Sequence, residues 1–297
     1  MNKIAIITDS TSDLCLELRE KYNIDYCEMA FSSGDKSFKA SLDWEDISAK
    51  EFYDSMRNGT PYLTTQVTVK CFLEKFGKYL SEGYDVLYIG CSSALSGSIA
   101  SANIICRELK TEYPGRKIMC IDSLISGMGQ GMLAIKAAEL RDQGKTIDEI
   151  YSEIENLKNI CNQCGTVSTL DYLKKSGRVT ASSAFFGNLF AVKPILISDD
   201  KGQNLAVKKV KGRKSSLEEI VNQIETYIKN PLEQTVYISH ADCEEDANKV
   251  CEMIRERIPG INVETAIIGP IVGVSVGPGT IIAYFTGTEK SEHMKQD

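Results

Sequence analysis

Three short runs of mainly aliphatic residues, Ile4–Thr8, Val86–Gly90 and Lys117–Ile121, each stop in a cluster of Asp, Ser and Gly and give way to a helical pattern. Strands separated by helical segments point to a parallel sheet with crossover helices. The helical patterns lie at Asp13–Tyr22, Asp46–Arg57, Thr68–Leu80, Ser96–Glu112 and Gly129–Gln143. In "DSTSDL", Ser12 or Thr11 can cap the first helix while Asp13 sits at the positive end of its dipole. A further helix, Ile147–Cys161, opens at Thr146 or Asp148 and leads out of this region.

The second half has a different rhythm. Gly165–Leu173 reads as a strand and a turn, Lys174–Ser182 as a loop, and Ser183–Val192 as a short apolar helix. Lys193–Val210 is a hairpin turning at Asp199-Asp200-Lys201-Gly202. Ser215–Ile228 and Asp242–Arg257 are helices, while Thr235–Ser239, Val263–Ile268 and Thr280–Phe285 are strands. Ile268–Gly279, with four glycines and two prolines, reads as a loop that lets backbone approach a ligand closely. The expected fold class is therefore α/β, in two domains as 297 residues favour. An N-terminal parallel-sheet, Rossmann-like domain spans 1–162 and a C-terminal mixed α+β domain spans 163–290; a polar tail, 291–297, frays together with the residues just before it.

The net charge of −7 argues against nucleic acid or an anionic membrane surface as a partner, since both need a basic field. No apolar run reaches the roughly 18–20 residues of a transmembrane helix, and the N-terminus enters a strand directly, so a cytoplasmic protein is expected. The ten cysteines are scattered through apolar patterns as small hydrophobes. The one C-x-x-C, Cys161 to Cys164, has no second pair at zinc-binding spacing, and only two histidines exist. No metal and no cofactor are expected.

Ligands of open α/β sheets bind beyond the carboxyl ends of the strands. Those ends are Thr8–Thr11, Cys91–Gly97 and Asp122–Gly127. Free amides at the start of the next helix make an anion site, to which Ser92 and Ser93 can add hydroxyls. "GCSSALSGS" lacks the lysine of a P-loop, and "GMGQG" does not match a dinucleotide fingerprint. A serine hydrolase built on Ser93 and His240 is an alternative without a G-x-S-x-G elbow to support it. Asp9 and Asp122 read as caps or turn-formers. Arg178, after Gly177, can meet a carboxylate or phosphate bidentately. Anion-ready loops facing the apolar segments Ser183–Val192 and Ile281–Phe285 suggest an amphipathic ligand.

Five stretches, "IITDSTSDL", "LTTQVT", "CSSALSGSIASA", "DYLKKSGRVTA" with "VKPIL", and "IGPIVGVSVGPG", resemble in order and spacing the DegV family of fatty-acid-binding proteins. The resemblance implies a non-catalytic protein that holds one long-chain fatty acid between its domains. It would present the acid to an ATP-dependent fatty acid kinase subunit, for acyl phosphate formation in phospholipid metabolism. It places the carboxylate on hydroxyls of Thr64 or Thr65 and of Ser93, with Ser92 beside it. The acyl chain runs past Phe185, Phe186, Leu189, Phe190 and Ile281, and Arg178 docks the kinase. Two positions depart from the family pattern: Val67 replaces a proline, and Ser275 replaces a histidine. Ser275 still donates a hydrogen bond to the carboxylate, but exchanging a charge-assisted bond for a neutral one costs about 1–2 kcal/mol. A divergent carrier of another amphipathic acid is the reading that Ser275 keeps open.

Overall fold

A computed structural model describes residues 3–180 and 192–293. The first sheet contains β1 (Lys3–Asp9), β2 (Ile24–Cys27), β6 (Tyr84–Gly90) and β7 (Ile118–Asp122), in the order β2-β1-β6-β7 and parallel throughout. Helices α3 (Val69–Ser81) and α4 (Ser98–Glu112) pack together against it, as do α5 (Met128–Asp142) and α6 (Ile147–Leu157). Coverage by helices is why β1 and β6 read as near-continuous apolar runs.

The chain leaves this sheet once, to build a small antiparallel one. It pairs β3 (Met29–Ser33) with β4 (Lys36–Ala40) around Gly34, whose φ of 56° suits a tight turn, and adds β5 (Leu63–Thr64) on the other side. Phe31 stacks on Phe38 and meets Phe52 of α2 (Ala49–Arg57) edge-on. α2 opens with a capping box between Ser48 and Glu51.

The third sheet begins at Cys161. Its strands are β8 (Cys161–Thr166), β9 (Val192–Ser198), β10 (Asn204–Lys211), β11 (Thr235–His240), β12 (Asn262–Ile267) and β13 (Ile281–Thr286). They run in the order β10-β9-β8-β13-β11-β12, antiparallel except for β11 beside β12. One face carries α8 (Arg213–Tyr227) and α9 (Glu244–Arg257); the other meets α5. Alternation along β13 divides its side chains between the faces: Ile281, Ala283 and Phe285 enter the core under α8 and α9, whereas Ile282 and Tyr284 join the first sheet's core.

Several expectations are corrected. The first helix, α1, spans Leu16–Tyr22 rather than starting at Asp13, and neither Ser12 nor Thr11 caps it. Thr11 is instead bonded to Asp9 and, at 2.6 Å, to Gln130 Oε1. Asp13 takes a left-handed φ of 54° and accepts the Gly269 N–H at 2.9 Å. "DYLKKS", expected as turn and loop, is helix α7 (Asp171–Ser176), ended by Gly177 in the left-handed region. The Gly/Pro stretch expected as a loop contains helix α10 (Pro270–Val276), with Pro270 in its first turn and Gly277 just beyond its end. The tail does not fray from Thr288: Lys290, on α11 (Lys290–His293), is 1% exposed and donates to the Leu124 carbonyl at 2.8 Å. Burial pushes the Lys290 amine down to about 8. The expected helix Ser183–Val192 lies almost wholly outside the described residues, and its last residue opens β9.

Candidate functional site

The three sheets meet around one cavity, enclosing about 1000 Å³ of empty space that opens in part to solvent. Its walls are mixed; the apolar part comes from Met29 of β3, Leu173 of α7, Leu196 of β9, Ile271 of α10 and Ile282 of β13. Hydroxyl and amide groups reach it from separate elements, among them Thr64 and Thr65 with Gln66, Ser96 beside Gly97, Gln163 with Asn204, and Ser275.

The hydroxyls differ in what they have left to give. Thr65 is already tied to Ala30: its N–H and its hydroxyl donate to the Ala30 carbonyl at 2.9 and 3.2 Å, and its Oγ1 accepts the Ala30 N–H at 3.2 Å. Thr64 Oγ1 makes no hydrogen bond to a described residue, nor does Ser275 Oγ. Buried Ser98 Oγ accepts the Val67 N–H at 3.1 Å and lies 3.0 Å from Ser96 Oγ. The arrangement that satisfies the buried Ser98 proton has Ser98 donate to Ser96, which leaves the Ser96 proton free for a ligand.

Behind Ser96 and Gly97 stands the N-terminus of α4, whose N-cap, Gly97, has no side chain and whose first N–H, that of Ser98, reaches Ser96 Oγ at 3.3 Å. Its dipole favours an anion where Ser96 and Gly97 border the cavity. Gly97 also has a steric role, because a Cβ there would lie 2.2 Å from Gln66 Oε1.

Other predicted residues fall elsewhere. Ser92 and Ser93 stand outside the cavity. Ser92 is buried and donates to the Gly202 carbonyl at 2.9 Å, pinning the β9–β10 turn. Ser93 is exposed, with its N–H on Asp122 Oδ1 at 3.1 Å. Ile281 is directed by strand alternation into the core away from the cavity, and its neighbour Ile282 lines the cavity instead. Phe185, Phe186, Leu189 and Phe190 lie outside the described residues. Arg178 borders the cavity, with Nε on the Leu95 carbonyl at 3.2 Å and a second bond to Ser176.

Ser93 and His240 share neither a hydrogen bond nor this cavity. His240 Nδ1 accepts the Cys243 N–H at 3.4 Å, and burial lowers the imidazole's pKa. Asp9 accepts from Thr11, from Tyr88 at 2.6 Å and from the Cys91 N–H at 3.3 Å, a local structural role. Among the described residues no group of three or more His, Cys, Asp or Glu is placed to hold a metal. Cys161 and Cys164 are free and face opposite sides of the sheet, Cys161 toward the Gly129 carbonyl and Cys164 into the core under α8.

Residue-level reading missed Ser96, Gly97, Gln66, Gln163 and Asn204. Ser96 and Gly97 lay within the turn already singled out. Which serine of that turn faces the cavity depends on how the turn folds back on Asp122 and Gly202.

A parallel α/β sheet joined to a mixed sheet encloses a cavity lined by hydroxyls, apolar side chains and a helix N-terminus, the architecture of one known class of protein. The chain belongs to the DegV family: the family model described as "Uncharacterised protein, DegV family" matches residues 3–286. A DegV domain-containing protein of Clostridium perfringens is 38% identical over 290 residues, covering 98% of this chain and 99% of the relative. Among solved structures, a DegV lipid binding protein from Thermotoga maritima superposes with a TM-score of 0.84 at 27% identity, covering 97% of this chain and 99% of that one. A DegV family protein of Thermus thermophilus, described for its fatty acid binding, gives 0.85 at 26% identity, with 97% and 100% coverage. DegV of Bacillus subtilis, described as a fatty acid binding protein, gives 0.82 at 26% identity with the same coverage. No helix among the described residues is long and apolar enough to cross a membrane.

Proposed function

We propose that this protein binds one long-chain fatty acid in the cavity. The carboxylate meets the hydroxyls of Thr64, Ser96 and Ser275 at the start of α4, and the tail lies along Met29, Leu173, Leu196 and Ile282. The observation that carries this reading is that three hydroxyls with free donor capacity, from three separate elements, line one partly apolar cavity at the N-terminus of α4. The fatty acid and lipid binding of similar structures supports it. Burial of acyl surface supplies the affinity, at about 25 cal/mol per Å², and the hydroxyls fix which end of the acid lies where.

In the same reading the chain has two domains, 1–162 and 163–290, with the ligand between them. It works in the cytoplasm as a carrier that performs no chemistry itself. A separate ATP-dependent kinase subunit phosphorylates the acid. Support for such docking is the groove beside the cavity that Thr64, Lys175 and Arg178 border, with Leu63, 74% exposed, at its edge.

The test is mass spectrometry of organic extracts of the purified, denatured protein, with protein quantified alongside. About one long-chain fatty acid per chain is expected. A different acid at that stoichiometry, or no lipid together with no uptake of added octadecanoic acid, overturns the reading.

A further inference from the structure

One polar pair in the cavity is left unused by recognition of a carboxylate. Gln163 of β8 is 6% exposed, and its Nε2 donates to Asn204 Oδ1 at 2.6 Å. Asn204 Nδ2 in turn donates to the Arg178 carbonyl at 2.9 Å, and both amides line the cavity. These bonds fix the orientation of both groups. A backbone carbonyl can only accept, so the Asn204 atom facing Arg178 is nitrogen and the one facing Gln163 is oxygen. Gln163 must then turn its nitrogen to Asn204, which leaves its Oε1 and its second N–H without a partner among the described residues.

The surroundings make this amide conspicuous. Gln163 shares a face of β8 with Gly165, which pairs with Leu196 and Ile282 of the neighbouring strands. All of these line the cavity, so the amide is flanked along the sheet by apolar residues, with Asn204 and Arg178 on its other side. β8 and β10 contribute none of the three free hydroxyls. A carboxylate, which only accepts, could take the spare N–H but would leave Oε1 unpaired and set like charge against it, so this is a poorer seat for the acid's head than the three hydroxyls. A plain methylene chain laid here would displace water from Oε1 and return no hydrogen bond, which costs affinity. A hydroxyl both donates to Oε1 and accepts the spare N–H.

We infer that the ligand this cavity favours is a fatty acid carrying a hydroxyl on its acyl chain, read by Gln163 with Asn204 holding the amide in place. The inference rests on the fatty-acid reading above and adds the chemistry of the tail.

The test uses the full chain stripped of lipid. Displacement of a fluorescent fatty acid is measured with octadecanoic acid and with monohydroxy-octadecanoic acids bearing the hydroxyl at successive positions. At least one positional isomer is expected to bind tenfold or more tighter than octadecanoic acid, and Gln163→Leu is expected to abolish that margin. If octadecanoic acid binds and no hydroxy isomer exceeds it, the inference fails while the fatty-acid reading stands. A margin that survives in folded Gln163→Leu also overturns it. If neither class of acid binds, the fatty-acid reading fails and takes the inference with it. The wild-type comparison decides without a variant, and Gln163→Met, of similar length, replaces the leucine variant if that one unfolds.

Discussion

Thr64 and Thr65 are neighbours of identical chemistry, yet one is spent and the other is free. Thr65 is tied at both its amide and its hydroxyl to Ala30, while Thr64 Oγ1 keeps its donor for the cavity. Losing a hydrogen bond to a charged group costs about 1.5–3 kcal/mol, so Thr64→Val should weaken fatty-acid binding about ten- to hundredfold. Thr65→Val should chiefly lower the unfolding midpoint, by about 1 kcal/mol of stability. Calorimetric titration beside urea unfolding checks both, and equal binding losses would remove the distinction. The serine turn offers a parallel contrast. Ser96→Ala should weaken binding about tenfold or more, whereas Ser93→Ala, whose side chain lies outside the cavity, should stay within about twofold of wild type. The sequence pointed to a hydroxyl in each of these stretches as a candidate for an anion. It could not say which, because a turn's side chains point where its long-range partners pull them, and those partners are Asp122, Gly202 and Val67.

Helix α10 is the element on which the site depends most and the one that sequence periodicity hides best. Its residues Val272, Gly273, Val274 and Val276 are all buried, so no polar face marks a helical period. The legible signal was at the ends, a proline in the first turn and a glycine just past the last. The glycine inside the helix is there for packing: a Cβ on Gly273 would lie 2.6 Å from Tyr53 Oη, which itself donates to the Ile268 carbonyl at 2.6 Å. Gly273→Ala should therefore cost about 1–3 kcal/mol of stability by overpacking. Because Ser275 rides on the same turn, binding should weaken as well. Thermal unfolding with and without added fatty acid measures both, and a variant as stable as wild type would show that Tyr53 yields without cost. The small sheet of β3, β4 and β5 was overlooked for a different reason. Its strands are two to five residues long, too short for a period-two pattern to stand out.

Across the whole molecule, the N-terminal strand ends and the last third of the chain meet at Asp13. Its Oδ1 accepts the Gly269 N–H at the head of α10, while its Oδ2, the Ser12 hydroxyl and the Tyr284 hydroxyl are buried without partners among the described residues. Burial, with the Asp9 carboxylate adding to it against the Gly269 bond, pushes the Asp13 carboxyl up to about 8. The folded chain thus keeps a proton that the unfolded chain, near its ordinary value of 3.8, gives up. Stability from this group is whole below that value and falls as pH rises to about 8, by at most about 1.4 kcal/mol per pH unit. Asp13→Asn keeps an acceptor for Gly269 and cannot ionise. Its stability relative to wild type should climb through that window, and urea unfolding at pH 5, 6.5 and 8 would refute this if the two curves ran parallel. Lys290 acts above the window: its depressed amine makes stability rise between about 8 and 10.5. By itself the sequence determined the α/β class and the order of nearly all long elements, because strand and helix periods are local properties. Tertiary structure alone decided that Ser96 and not Ser93 meets the cavity, that Ile282 and not Ile281 lines it, and that Asp13 holds the Gly269 N–H at the head of α10 where a place at the positive end of the first helix was expected. Each was settled by contacts between residues far apart in the chain, to which neighbouring residues carry no clue.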